Sequence, residues 1–266
     1  MLSVIIITKN EASHIGRCLE SVSWADEIIV LDSGSQDDTV SICRRYTDKV
    51  YETDWPGFGV QKQRALDKAK GDWVFSIDAD EVVTPELRAE IGKALQQEHC
   101  NGYEIPRLSS YCGRQMRHGG WWPDHVLRLF RRDCGRFTDS VVHERITVQG
   151  QIGQLITPLL HEAFVDLDEV LHKVDCYSSL GAEMLYQKGA RSSISKAVFK
   201  ALWTFMRTYF LKLAIMDGRQ GLMLSISNAE GTYYKYAKLL ELQSRQAVVA
   251  SVPDRLRHFR HPWQSK

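Results

Sequence analysis

Four polar strings stand where chemistry could be done. Asp78-Ala79-Asp80-Glu81 follows the apolar run Val74-Phe75-Ser76-Ile77, and Asp32-Ser33-Gly34-Ser35-Gln36-Asp37-Asp38-Thr39 closes another. Thr8-Lys9-Asn10-Glu11 ends a third, and Gln61-Lys62-Gln63-Arg64 lies in a helical stretch. The like charges of the first string repel by about 1 kcal/mol or more per close pair even near water. A divalent cation relieves that repulsion. Mg²⁺ or Mn²⁺ takes one or two carboxylates together with phosphate oxygens and water, and a cation so held stabilises a diphosphate as a leaving group. The competing reading of the same residues is a solvated acidic turn. In the second string, Gly34, Ser35 and Asp37 suit a tight turn and a helix cap. Asp32, at the strand tip, could instead accept a hydrogen bond from a uracil imide or a ribose hydroxyl.

The elements that must position these strings can be read from periodicity. Residues 3–8 form a continuous β-branched run, as expected of a buried parallel strand, and residues 27–31, 49–51 and 73–77 read as further strands. Between them, residues 12–22, 39–46 and 61–69 show helical spacing, with Asn10 placed to cap the first and Gly71 to end the third; residues 85–97 follow as another helix with Pro85 in its first turn. This alternation predicts an α/β fold, a mostly parallel sheet flanked by helices, whose ligands lie beyond the C-terminal strand ends. Residues 103–106, 126–130 and 145–148 read as later strands, and from about Leu159 the pattern is helical with no strand. Hydrophobic residues at 44%, charged residues at 25% and a formal charge of +1 fit a folded protein that is not a nucleic-acid binder. The six cysteines include no C-x-x-C, which argues against a zinc ribbon or redox dithiol and suits reduced thiols in a cytosol. Neither a signal peptide nor a spanning helix is expected. A dinucleotide fold would require G-x-G-x-x-G after the first strand, where Lys9-Asn10-Glu11-Ala12-Ser13 stands instead.

In order and spacing, Val4 to Glu11, Asp32 to Thr39, Gln61 to Ala65 and Phe75 to Glu81 together resemble the inverting family 2 nucleotide-sugar glycosyltransferases. That resemblance implies the GT-A fold, a catalytic domain over residues 1–158 and a C-terminal helical region over 159–266. Residues 1–100 would form the nucleotide-sugar half and 101–158 the acceptor half. It implies that Thr8, Asn10 and Glu11 line the base and ribose pocket, that Asp32 contacts the base, and that Lys62 and Arg64 lie near the base or diphosphate. Asp78 would approach the ribose and Asp80 would ligate Mg²⁺ or Mn²⁺, with His161 as the late histidine beside the diphosphate. In an inverting transfer a carboxylate takes the acceptor proton. The resemblance favours Glu144 as this base, with Asp124 second; where the family has Glu-Asp, this chain has His143-Glu144.

On the acceptor side, Trp121 and Trp122 beside Pro123 could stack on sugar faces or anchor a loop in the core. Arg128 and Arg131 could bind phosphate or carboxylate groups, or serve as surface residues. Residues 193–216 are strongly apolar yet carry Lys196, Lys200, Arg207 and Lys212, a composition suited to the headgroup region of a membrane. The stretch from Ile105 to Glu144, with His161, Lys173 and Tyr177, resembles the lipopolysaccharide core glucosyltransferases of Gram-negative bacteria. This implies transfer of glucose from UDP-glucose to an inner-core heptose, in the cytoplasm and peripherally on the cytoplasmic face of the inner membrane. Two alternatives stay open: transfer to a polyprenyl phosphate or other glycolipid, in which Trp121→Ala would be harmless, and a non-catalytic nucleotide-sugar-binding protein, indifferent to Glu144→Gln.

Overall fold

A computed structural model describes residues 1–138 and 145–251. The chain forms two compact units. The first comprises Met1–Tyr111, Gln115–Arg117 and Trp121–Ala163; the second comprises Cys112–Arg114, His118–Gly120 and the chain from Phe164 on.

The elements begin β1 (Leu2–Thr8), α1 (Ile15–Ser21), β2 (Glu27–Asp32), α2 (Thr39–Cys43), β3 (Val50–Glu52), α3 (Phe58–Lys68), β4 (Trp73–Ser76), β5 (Glu81–Val82) and α4 (Pro85–Ala94). There follow β6 (Gly102–Tyr111), β7 (Arg114–Gln115), β8 (Asp124–Arg131), β9 (Gly135–Phe137), β10 (Ile146–Val148), β11 (Ile152–Gln154) and β12 (Leu159–Phe164). The large sheet has the order β3-β2-β1-β4-β8-β6-β12-β5. Its first four strands are parallel, and β8 joins β4 and β6 antiparallel. The expected α/β architecture, a curled sheet flanked by helices and followed by a helical region, is the one observed.

The parallel half folds as its apolar runs dictate. Alternate residues of a strand face opposite sides. Val4 and Ile6 of β1 accordingly pack with Ile15 and Leu19 of α1 and Leu87 and Ile91 of α4, while Ile5 and Ile7 pack with Ala65 and Leu66 of α3. Pro85 opens α4, where the Thr84 hydroxyl accepts from the Leu87 N–H at 3.2 Å.

Three local expectations are corrected. Asn10 caps nothing: α1 begins at Ile15, and Asn10 takes a left-handed backbone (φ 56°) from which its side-chain oxygen accepts from Gln36 N. Gly71 does not end α3, which stops at Lys68; it lets the backbone pass close to β1, since a Cβ there would stand 2.7 Å from Ser3 N and 2.8 Å from Met1 O. Finally, residues 159–164 are not helical. They form β12, which pairs antiparallel with β5, Leu160 opposite Val82 and His161 opposite Glu81. Its polar middle, His161-Glu162, hid the strand from an apolar-pattern reading.

The second unit contains α5 (Leu167–Gln187), α6 (Ile194–Met206) and α7 (Gly218–Ser251). The expected long helix over 193–216 is interrupted: α6 runs into a π-helical turn at Arg207–Leu211, Leu213 is left-handed (φ 58°), and a 3₁₀ turn spans Ala214–Asp217. A Cβ on Gly221 would stand 1.7 Å from the Ala214 carbonyl oxygen, so α7 meets this elbow backbone to backbone. Asp217 is buried there and accepts from His118 N at 2.8 Å. The least exposed residues of α6 are Ala197, Ala201, Thr204 and Phe205, whereas Phe199, Leu202, Trp203 and Met206 are exposed. No described helix is long and apolar enough to cross a membrane.

Gly71→Ala should destabilise the protein by about 1–3 kcal/mol, the usual cost of forcing atoms into a filled space. A lowered urea midpoint with an unchanged slope is the expected result.

Candidate functional site

The strand tips of the parallel half are level. Thr8 pairs with Asp32 and Asp32 with Glu52, so the segments after β1, β2 and β3 emerge along one edge. The segment after β1 is held by the acidic string after β2. Asn10 N donates to Ser35 Oγ at 2.8 Å, Glu11 N to Thr39 Oγ1 at 2.8 Å, and Ala12 N to Asp37 Oδ2 at 3.2 Å. Asp32 closes its own turn: Oδ1 accepts from the Gly34 and Ser35 N–H groups, and Oδ2 from the Ser35 hydroxyl. It is buried and lies outside the cavity wall.

Along this edge opens a cavity of about 420 Å³. Thr8, Lys9, Glu11, Lys62, Asp78, Asp80 and His161, all singled out in the sequence, line it, as do Trp55 and Phe58, which were not. Thr8 Oγ1 is buried and has no hydrogen-bond partner among the described residues. A buried hydroxyl left so is costly unless a ligand satisfies it.

The cavity has two chemically different ends. On the β4 side, Asp80 Oδ2 stands 3.2 Å from His161 Nε2, and His161 Nδ1 is 2.8 Å from Ser109 Oγ. The pairing of β12 with β5 makes this meeting, and Glu162 N also donates to the Asp80 carbonyl at 3.0 Å. Asp80 and His161 thus place one carboxylate and one imidazole nitrogen side by side, a pair that could hold a cation, with Ser109 against the ring. No cluster of three or more metal-ligating side chains exists among the described residues. On the β3 side, Trp55 and Phe58 meet edge to face with centroids 4.7 Å apart, and each is more than 40% exposed. They were legible in principle: Trp55-Pro56-Gly57-Phe58 follows the third parallel strand, at the edge where ligands bind.

Behind the cavity runs a line of alternating charges. Lys62 Nζ is 2.9 Å from Asp78 Oδ1, and Arg128 Nη2 binds both Asp78 Oδ2 and, at 2.6 Å, Glu81 Oε1. Arg107 Nη1 lies 3.7 Å from Glu81 and donates through Nε and Nη2 to Asp124 Oδ2 at 3.0 and 2.7 Å. Burial alone would raise the Asp78 carboxyl, but Arg128 and Lys62 drive it well below the usual carboxylate range. Burial pushes Glu81 up despite Arg128, and the two carboxylates hold Arg128 protonated against its own burial.

Several sequence-selected residues stand apart from the cavity. Arg128 is an interior counter-ion of β8 rather than an outward-facing anion binder. Arg131 lies over the Trp73 ring at 4.7 Å, and Arg64 pairs with Asp54 at 2.6 Å. Trp121 packs edge-on against Tyr111, and Trp122 lies beneath Arg117. Asn10 holds the loop after β1. Glu144 and His143 lie outside the described residues.

Residues 3–148 match the model of the Glycosyl transferase family 2. The chain is 33% identical to the lipopolysaccharide core biosynthesis glycosyltransferase LpsC of Rhizobium meliloti, over 97% of this chain and 98% of that one. It is 31% identical to an uncharacterized glycosyltransferase of Rickettsia typhi, over 94% and 90%. Among solved structures, S. aureus TarS 1–349 in complex with UDP aligns with a TM-score of 0.47 at 16% identity, covering 92% of this chain and 91% of that one.

Replacing Arg128 with Met strands Asp78 and Glu81 without their shared counter-ion, and breaking a buried pair from one side costs about 3–5 kcal/mol. Urea unfolding of Arg128→Met should show a loss of that size. Arg128→Lys, which keeps the charge but not the fork, should fall between.

Proposed function

The chain belongs to glycosyl transferase family 2, and from that membership we propose that it transfers glucose from UDP-glucose, with inversion, to an inner-core heptose of lipopolysaccharide at the cytoplasmic face of the inner membrane. The observation that carries the donor part is the two-ended cavity. Its aromatic pair suits the flat base, its buried Thr8 hydroxyl suits a polar ligand atom, and Asp80 with His161 suits the diphosphate end. The acceptor class is supported by the name of the Rhizobium relative, which this chain matches almost end to end. The choice of glucose and heptose rests on the resemblance of the stretch from Ile105 to Glu144.

Asp80 and His161 fit Mg²⁺ or Mn²⁺. One carboxylate and one imidazole leave most coordination positions to phosphate oxygens and water, which is how these cations are held at phosphate sites. In the tautomer whose Nδ1–H donates to Ser109 Oγ, His161 Nε2 would be free to serve as a ligand. When bound, the cation offsets the charge that grows on the leaving diphosphate.

The protein's own residues do the rest. Trp55 and Phe58 stack on the base and fix the donor's direction along the cavity. Thr8 and Glu11 take polar contacts of the nucleoside. Lys62 and Arg128 hold Asp78 ionised, so that its remaining acceptor capacity faces the ribose. Glu144 accepts the proton of the attacking acceptor hydroxyl as the new bond forms at the anomeric carbon, on the face opposite the leaving diphosphate. Asp124 is assigned to the charge line with Arg107, and Trp121 and Trp122 to the acceptor side.

Calorimetry and transfer assays test these roles separately. Asp80→Asn should weaken UDP binding in Mn²⁺ and lower transfer by orders of magnitude. Trp55→Ala should weaken UDP about 5- to 150-fold, equivalent to ~1–3 kcal/mol of base stacking, while sparing inorganic pyrophosphate. Glu144→Gln should lower kcat and leave UDP affinity nearly intact. Normal turnover by Glu144→Gln would remove it from the base role, and unchanged UDP affinity in Asp80→Asn would sink the donor assignment.

A further inference from the structure

The second unit packs its helices in the reverse of the usual soluble arrangement. On α6 the least exposed positions are Ala197, Ala201, Thr204 and Phe205, three of them small, and buried Thr208 continues that side in the π-helical turn; Thr204 Oγ1 donates to Thr232 Oγ1 on α7 at 3.2 Å. The large apolar residues face out at the spacing i, i+3, i+4, i+7: Phe199 is 67% exposed, Leu202 62%, Trp203 51% and Met206 48%. The elbow continues this surface, with Leu211 68% and Met216 62% exposed. These tips are not on a loose loop, because Gly221 against Ala214 and Asp217 against His118 fasten it. Small residues between helices and large apolar ones outside is the packing of helices whose surroundings are hydrocarbon.

Charge identifies what kind of hydrocarbon. Between Glu183 and Asp217 the chain carries Lys188, Arg191, Lys196, Lys200, Arg207 and Lys212, and no Asp or Glu. All of these cations are exposed. A face meant for a second copy of itself would set like charge against like charge. An anionic bilayer surface meets both the apolar side chains and the cations that flank them. A groove of about 490 Å³ between α6 and α7, walled by Val198, Leu202, Phe205 and Ile226, gives an acyl chain room to enter.

We infer that the outward face of α6 and the elbow after it, residues 194–216, form an interfacial anchor that seats the protein on an anionic lipid bilayer without crossing it. This deepens the reading of a lipid-linked acceptor by naming the surface that meets the lipid.

Flotation of the full chain with vesicles of phosphatidylcholine, with and without phosphatidylglycerol, tests it. Binding is expected only with phosphatidylglycerol and should weaken as salt rises. Phe199→Ser/Trp203→Ser should lower the bound fraction more than about tenfold, since two large side chains no longer leave water. Lys200→Glu/Arg207→Glu, confined to exposed charges, should abolish the preference for the anionic lipid even if the first variant folds poorly. Absence of vesicle binding by the wild type, or binding that neither variant reduces, overturns the anchor. So does a wild-type dimer in solution that Phe199→Ser/Trp203→Ser separates. Transfer to a delipidated core oligosaccharide should be the same in wild type and both variants. A wild type that floats yet transfers sugar to no acceptor would count against the proposed function and leave the anchor standing.

Discussion

Asp78 is held in a grip from which the arrangement of the first unit follows. A carboxylate at the tip of a central strand, with a second acid one turn on at Glu81, is tolerable inside a protein only if cations reach it from elsewhere. Lys62 comes from α3, and Arg128 comes from β8, which runs antiparallel to the parallel strands. The contact therefore ties a helix of the parallel half to an antiparallel strand of the later half across β4. Buried ion pairs add little net stability against an apolar core. What they do here is restrict position: with Asp78 and Glu81 both pinned, the two residues between them have one way to emerge, and Asp80 projects toward His161.

Legibility in the sequence followed burial. Strands covered on both faces must be apolar throughout, so β1, β2 and β4 could be read as unbroken runs, and the polar strings at their ends stood out as strand tips. Six of those strings' residues, Thr8, Lys9, Glu11, Asp78, Ala79 and Asp80, do line the cavity, as does Lys62 of the helical string. The later half resisted for the complementary reason. Arg128 is buried and Arg107 half-buried among opposite charges, and no single-chain pattern tells an interior arginine from a surface one. The strand β12 was hidden because its polar centre belongs to the site. Trp55 and Phe58 escaped because aromatic residues in a loop are ordinarily taken as anchors, and only the level strand ends show that this loop overlooks the cavity.

The second unit makes the opposite point about pattern. Its apolar periodicity was visible, but periodicity locates a stripe and does not say which way the stripe faces. The small residues Ala197, Ala201 and Thr204 carry that information. They mark the side of α6 that approaches α7, and the bulky side chains are left outside by subtraction. The elbow also could not be foreseen. Nothing in Arg207-Thr208-Tyr209-Phe210-Leu211 signals a π-helical turn, and the close approach of Gly221 to Ala214 is a long-range fact.

The neutralisation of Asp78 has a consequence for the order in which the site fills. Lys62 and Arg128 already cancel its charge, so on the proposed chemistry a divalent ion arriving alone would meet little beyond Asp80 and His161. A pyrophosphate would supply the missing oxygens, and the ion the positive charge that two phosphates need. On the proposed chemistry, each ligand therefore raises the affinity for the other by the same factor. Metal and nucleotide would then behave as a single cargo, loading together and departing together once the sugar has gone.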